Sequence, residues 1–150
     1  YLTIYLVMNL GAFGCIFMMK RENIYYENIN DLSGLSKNHP MLALSFLIIL
    51  FSFAGIPPLA GFFAKFYVFM AVIEVKMYAL AIIGLVTTVI SAFYYLRIIK
   101  AIYFDKPKKP FEESYDWGLK ISLILSSILI LTYFIYPSIL VDTISSILIY

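Results

Sequence analysis

The sequence contains few of the residues from which most catalytic and metal sites are built. Its 150 residues include one cysteine and one histidine. A single cysteine, Cys15, excludes a disulfide framework or a cysteine metal site within the chain. A single histidine, His39, excludes a haem held by two histidines. No nucleotide-binding loop or nucleophile–base pair is present either. We therefore expect any redox chemistry to take place on another chain.

Charge is scarce as well. Charged residues make up 13% of the chain and hydrophobic residues 63%, and the mean hydropathy is +0.92. A soluble domain has roughly 25% charged residues, so this composition indicates an integral membrane protein. The apolar runs are continuous, whereas barrel strands alternate apolar and polar residues. The net charge of +2 is too small to indicate nucleic-acid binding.

Uncharged windows of about 20 residues predict four transmembrane helices. The fold class is therefore an all-α membrane protein in which residues 1–150 form a single membrane domain. The predicted transmembrane segments are residues 1–19, 40–73, 77–103 and 117–141.

The second segment is too long for one straight crossing. Its 33 residues from Met41 to Ile73 would span roughly 50 Å as a helix, against a hydrocarbon core of about 30 Å. Pro57 and Pro58 lack an N–H and disfavour helical geometry in the residue before them, and the flanking Gly55 and Gly61 let the chain turn. We predict a discontinuous helix broken around Gly55–Gly61; an ordinary proline kink is the alternative.

Within that segment the only charged side chain is Lys65. A lysine at membrane depth costs at least about 2.5 kcal/mol on insertion scales and marks a functional site by default. Burial and the N-terminal end of the second half-helix both disfavour the ammonium form, so the amine is expected to gain and lose protons. The alternatives are a lysine that snorkels to the interface and a lysine locked in a static ion pair.

The first segment carries one polar side chain at mid-membrane depth. Asn9 is expected to hydrogen-bond to a neighbouring helix, as small polar residues do in membranes. Gly11 and Gly14 on the same helix predict close packing of another helix.

Positive charge fixes the predicted orientation. With four crossings, one side of the membrane receives nine lysines and arginines, and the other side receives only Lys76. This asymmetry places the two long loops, residues 20–39 and 97–120, on the cytoplasmic or matrix side. The nine residues are Lys20, Arg21, Lys37, Arg97, Lys100, Lys106, Lys108, Lys109 and Lys120.

Four sequence blocks carry a resemblance to a known family. They are NLGAFG at residues 9–14, DLSGL at 31–35, AGIPPLAGFFAKFY at 54–67 and SAFYYLR at 91–97. With these blocks the chain resembles the antiporter-like subunits of respiratory complex I, the proton-pumping NADH:ubiquinone oxidoreductase, and among them subunit 2. The block around the double proline is the specific one, and the resemblance runs from residue 1 to about residue 104.

The resemblance implies that the chain corresponds to the C-terminal four helices of such a subunit. Lys65 stands where the family has a proton-channel lysine in a broken helix. The resemblance also implies partners, which are other complex I membrane subunits and the lipid bilayer. We expect a split subunit, so that a separate chain carries its N-terminal part. NADH, FMN, iron–sulfur clusters and ubiquinone are expected on other subunits, with no cofactor or metal on this chain.

Three functions remain open. The leading one is a complex I subunit that contributes the C-terminal part of a proton channel, in the mitochondrial inner membrane or, alternatively, a bacterial plasma membrane. The second is a subunit of a multisubunit cation/proton antiporter. The third is a structural membrane subunit with an inactive channel.

Overall fold

Helices account for nearly all the regular structure. The computed structural model describes residues 1–21, 24–26, 28–112 and 116–133. In chain order the elements are α1 (Leu2–Phe17), β1 (Lys20–Arg21), β2 (Ile24–Tyr25), a 3₁₀ helix (Ile29–Leu32), α2 (Leu35–Asn38), α3 (Pro40–Ala54), α4 (Ala60–Glu74), α5 (Tyr78–Phe104) and α6 (Trp117–Thr132).

The long helices coincide with the predicted segments to within one or two residues, apart from the end of the last one. α1 lies inside residues 1–19. α5 starts and ends one residue later than the segment 77–103, and α6 begins at residue 117, the first residue of the last segment. Residues 134–141 of the last segment lie outside the described residues. Within the described part, α5 with 27 residues is the one helix both long and apolar enough to cross a membrane alone.

The polar connection after α1 contains a short hairpin. Lys20 and Arg21 pair with Tyr25 and Ile24 in a two-stranded antiparallel hairpin, a small addition to an otherwise helical fold. Strand pairing gives these four residues backbone partners, which the sequence pattern did not signal.

Helix α3 is the centre of the bundle. It contacts α1, α2, α4, α5 and α6, and Ile49, Ala43 and Ser52 on it are fully buried. Its position explains why it is apolar on every face, a pattern typical of a buried helix. In α5, by contrast, the buried residues stand only near the two ends, at Ala81 and from Ile99 onward. The middle of α5 therefore lies at the edge of the described bundle.

The first helix packs closely on two others at a glycine. A Cβ added to Gly11 would lie 2.8 Å from Ile49 Cδ1 on α3 and 3.0 Å from Ser126 Cβ on α6, which confirms the close packing predicted there. A Cβ added to Gly14 would meet nothing within 4 Å, so the described part of the structure shows no such close approach of another helix at that position. Asn9 Nδ2 donates to Tyr5 O of its own helix at 2.8 Å, and the bond expected to a neighbouring helix is not seen within the described residues. Through this bond one N–H of the amide reaches back one turn to the backbone of α1.

The connections at one end of the bundle are held together by backbone bonds. The Gly34 N–H donates to Ala101 O at 2.9 Å, and the Lys108 N–H donates to Ser33 O at 3.3 Å. Asn38 Nδ2 donates to Lys108 O at 2.7 Å. Gly34 has φ +67°, and a Cβ there would overlap Pro107. Only glycine combines this left-handed backbone with so close an approach.

Candidate functional site

The chain leaves helical geometry between α3 and α4 at Gly55. Gly55 has φ +81°, and its N–H donates to Ser52 O at 3.0 Å while the N–H of Ile56 donates to Phe51 O at 3.0 Å. These two bonds form a Schellman motif, the common way for a helix to end at a left-handed glycine. Residues 55–59 then connect the two helices.

The double proline determines which backbone group the helix end leaves free. In a continuous helix the carbonyl of Phe53 would accept from the N–H of residue 57. Residue 57 is proline and has no N–H. Phe53 O therefore lacks a helical donor and can accept a hydrogen bond from another group.

Lys65 supplies that partner. It lies in the second turn of α4, is half-buried, and its Nζ donates to Phe53 O at 2.8 Å. Among the described residues Lys65 takes part in no salt bridge, so the static ion pair considered above is not seen there. The amine contacts the carbonyl end of α3, where the helix dipole attracts a cation.

Ser52 joins three helices at the same place. Its Oγ accepts from the Gly61 N–H at 3.0 Å and donates to Met8 Sδ on α1 at 3.0 Å. The first N–H groups of a helix have no partner within the helix, so Ser52 satisfies one of those of α4. This bond fixes the start of α4, and with it the position of Lys65 one turn later.

Gly61 has a different role from the one predicted. It lies within α4 and is not among the residues with positive φ, so it does not turn the chain. A Cβ at Gly61 would overlap the carbonyl oxygen of Ser52. The residue is glycine because the backbones of α3 and α4 approach each other closely there.

A cavity of about 200 Å³ lies beside Lys65. Phe53, Gly61 and Lys65 line its α3–α4 side. The remaining lining residues belong to α1 and its start and to α5: Tyr1, Tyr5, Met8, Thr87, Thr88, Ser91 and Tyr95. A water in bulk liquid takes up about 30 Å³, so the cavity has room for several water molecules, and its lining offers hydroxyl and carbonyl oxygens to them.

An aromatic cluster holds the acceptor of Lys65. The Phe53 ring stacks on the Tyr95 ring, with centroids 5.4 Å apart and planes at 21°. It also meets Tyr5 edge to face at 6.1 Å. Both geometries are favourable for aromatic pairs. The cluster fixes Phe53 between α1 and α5, and the Phe53 carbonyl is the oxygen that Lys65 contacts.

The structure thus brings Lys65, Gly55 and Gly61 to one site, together with the carbonyl that Pro57 leaves free. It adds Ser52, Phe53 and a set of α5 hydroxyls that the sequence analysis missed. The spacing of Thr88, Ser91 and Tyr95 by three and four residues was the available signal. Within the described residues, no group of three or more histidine, cysteine or acidic side chains is placed to hold a metal ion.

Comparison with known proteins agrees with this architecture. Residues 1–91 match the family described as NADH:quinone oxidoreductase/Mrp antiporter, transmembrane. The chain is 64% identical over 147 residues to NADH-quinone oxidoreductase subunit N of Pelagibacter ubique, covering 98% of this chain and 31% of that protein. It is 51% identical over 138 residues to subunit N of Parvibaculum lavamentivorans, covering 92% and 29%.

A solved structure is similar too. A chain of respiratory complex I from Thermus thermophilus with bound aureothin superposes with a TM-score of 0.78 and 28% identity, over 91% of this chain and 31% of that one. This chain therefore spans about a third of the length of the relatives it matches. Because the family match covers more than half of its residues, the chain belongs to the NADH:quinone oxidoreductase/Mrp antiporter transmembrane family.

Proposed function

We propose that the chain contributes the C-terminal part of a proton-translocation path in the membrane arm of an NADH-quinone oxidoreductase, with Lys65 as the proton carrier. The observation that supports this most is the hydrogen bond from Lys65 Nζ to Phe53 O at 2.8 Å, beside a cavity with room for water. The names of the relatives supply the reaction to which the transfer would be coupled.

The proposed proton transfer requires a group that can lose a proton and take up another. A lysine amine can release its proton and take up another, which an arginine does not do because it stays charged. When Lys65 is charged, Phe53 O accepts a hydrogen bond from it; when it is neutral, water in the cavity can return a proton. Redox energy from other subunits would set the direction by changing nearby charges.

In this proposal the chain crosses the membrane four times, and α3 and α4 are the two halves of one discontinuous crossing. Each has 15 residues and is about 22 Å long, too short to span about 30 Å alone. The unwound stretch at residues 55–59 then lies inside the membrane. The positive charges favour an orientation with the 20–39 and 97–120 connections on the cytoplasmic side.

The proposed partners are the lipid bilayer and other membrane subunits of the complex, with NADH, FMN, iron–sulfur clusters and ubiquinone bound elsewhere. The relatives described above are single chains of which this one spans 31% and 29%, so they give no support to a separate chain carrying the N-terminal part. They are also bacterial, which favours a bacterial plasma membrane over the mitochondrial inner membrane.

A cation/proton antiporter subunit is the second candidate, because the family description names both activities. The two subunit N relatives favour the first. Dependence of proton movement on NADH rather than on a sodium gradient separates these candidates. A structural subunit with an inactive channel is the third candidate, and the substitution Lys65→Met tests it.

The test is Lys65→Met in the full-length subunit within the assembled complex. Inverted membrane vesicles report NADH-driven proton uptake, and NADH oxidation is measured in parallel. We expect fewer protons taken up per NADH oxidised, because methionine fills the site but carries no proton. Lys100→Met is the matched control, since Lys100 is an exposed helical lysine that does not line the cavity. Unchanged pumping in Lys65→Met would leave the structural role as the only reading.

A further inference from the structure

A polar stripe on α5 faces Lys65. Thr88, Ser91 and Tyr95 are half-buried, and their spacing puts them on one face of the helix. All three line the cavity beside Lys65. Gly84, one turn earlier on this face, would place a Cβ 2.7 Å from Phe69 Cε1. Since Phe69 stands one turn after Lys65 on α4, the two helices pack along these stripes.

Two hydroxyls of this stripe, those of Thr88 and Ser91, donate their hydrogens to the backbone of α5. Thr88 Oγ1 donates to Gly84 O at 2.9 Å, and Ser91 Oγ donates to Thr87 O at 2.9 Å. A hydroxyl has one hydrogen and two lone pairs. With its hydrogen given to the helix backbone, each group offers the cavity only lone pairs. Thr88 and Ser91 therefore present hydrogen-bond acceptors to the cavity.

The Lys65 ammonium is the matching group. It carries three N–H donors and no acceptor, and it contacts Phe53 O through one of them. Its four-carbon stem is flexible, and the stripe lines the same cavity. We propose that Thr88 and Ser91 are positioning residues that form a second acceptor site for the Lys65 amine, opposite the carbonyl of Phe53. This inference rests on the proposed function.

The second site matters when the proton leaves. The N–H bond then breaks and an O–H bond forms on a water molecule, which leaves a neutral amine and a hydronium ion. Hydronium is a hydrogen-bond donor only, so an acceptor surface beside the amine suits it. A surface of methyl groups at the same positions would offer neither the ammonium nor the hydronium a partner.

Hydroxyls in membrane helices often bond to the carbonyl four residues earlier without any further role. The chain provides two such groups as controls. Thr132 Oγ1 donates to Ile128 O at 2.8 Å, and Ser45 Oγ donates to Met41 O at 3.1 Å. Neither residue lines the Lys65 cavity. The four hydroxyls thus share their backbone bond, and they differ in whether they face Lys65.

The experiment replaces the Thr88 and Ser91 hydroxyls in the full-length subunit of the assembled complex, as Thr88→Val with Ser91→Ala. We expect this double variant to lose most of the NADH-driven proton uptake that Lys65→Met loses, at equal amounts of assembled complex. The exchange Thr88→Ser with Ser91→Thr keeps both oxygens and should restore uptake. Thr132→Val with Ser45→Ala should leave it unchanged.

Combining the double variant with Lys65→Met distinguishes positioning from a general structural effect. If the stripe acts through Lys65, the triple variant loses no more uptake than Lys65→Met alone. Additive losses, or no rescue by the hydroxyl exchange, would overturn the inference. Unchanged uptake in the double variant beside a loss in Lys65→Met would overturn it and leave the proposed function standing. If the double variant does not assemble, the two single substitutions are measured, and normal uptake in both overturns it.

Discussion

Lys65 Nζ lies 2.8 Å from the carbonyl oxygen of Phe53, twelve residues earlier and on the other side of a helix break. The contact exists because Pro57 cannot donate to that carbonyl and because α4 starts close enough to α3 for a lysine to reach back. One N–H of the lysine thus gives the Phe53 carbonyl the partner that the end of α3 does not provide.

The first prediction concerns the proton rather than the charge. Lys65→Arg keeps a cationic donor near Phe53 O but one that stays protonated. We expect normal assembly and a loss of NADH-driven proton uptake as large as that of Lys65→Met. Parallel measurement of assembled complex and of uptake in vesicles checks this. Full uptake with arginine would show that a fixed charge is sufficient.

The second prediction concerns the bond that starts α4. Ser52→Ala leaves the buried Gly61 N–H without its acceptor, which costs about 1–3 kcal/mol. We expect a lower melting temperature of the assembled complex or less of it in membranes. Ser45→Ala is the control, because Ser45 donates to a carbonyl within its own helix and its removal orphans no N–H. Equal effects of the two substitutions would contradict the role assigned to Ser52.

The third prediction compares two glycines in helices. Gly61→Ala would place a methyl group onto the carbonyl of Ser52, and overpacking of this kind costs about 1–3 kcal/mol. Gly14→Ala meets nothing within 4 Å and gains up to about 1 kcal/mol of helix propensity. The melting temperature of the complex should therefore fall in Gly61→Ala and rise in Gly14→Ala. A tolerated alanine at Gly61 would mean that α3 and α4 are not so close.

The fourth prediction compares the salt bridge between Asp31 and Lys108 with the close approach at Gly34, both in the connections at one end of the bundle. Asp31 and Lys108 form a salt bridge of 3.2 Å in which the lysine is 48% exposed; Asp31→Asn should cost at most about 1 kcal/mol. In Gly34→Ala, the alanine would have to adopt a left-handed backbone, which costs about 1–2 kcal/mol. Its methyl group would also overlap Pro107. The glycine substitution should reduce assembly more than the loss of the ion pair. A larger loss of assembly in Asp31→Asn than in Gly34→Ala would show that the salt bridge contributes more to stability.

Much of the helix layout was predictable because it depends on local chemistry. Proline at residue 40 starts a helix, and the glycine and prolines at residues 55–58 end it; the structure has α3 over Pro40–Ala54. The hairpin at Lys20–Tyr25 was missed because two-residue strands carry no periodic pattern. The reason for Gly61 was also missed, because a close approach between helices depends on residues nine positions apart meeting in space.

The sequence by itself determined that the chain is apolar, helical and interrupted at a double proline, with one lysine in an otherwise uncharged run. Those properties follow from composition and from the backbone limits of proline and glycine, which act within a few residues. Only the tertiary structure decided that the lysine contacts Phe53, that Ser52 ties α4 to α3 and α1, and that hydroxyls of α5 share the cavity. Such contacts depend on how helices pack, and packing is set by the shapes of side chains distant in sequence.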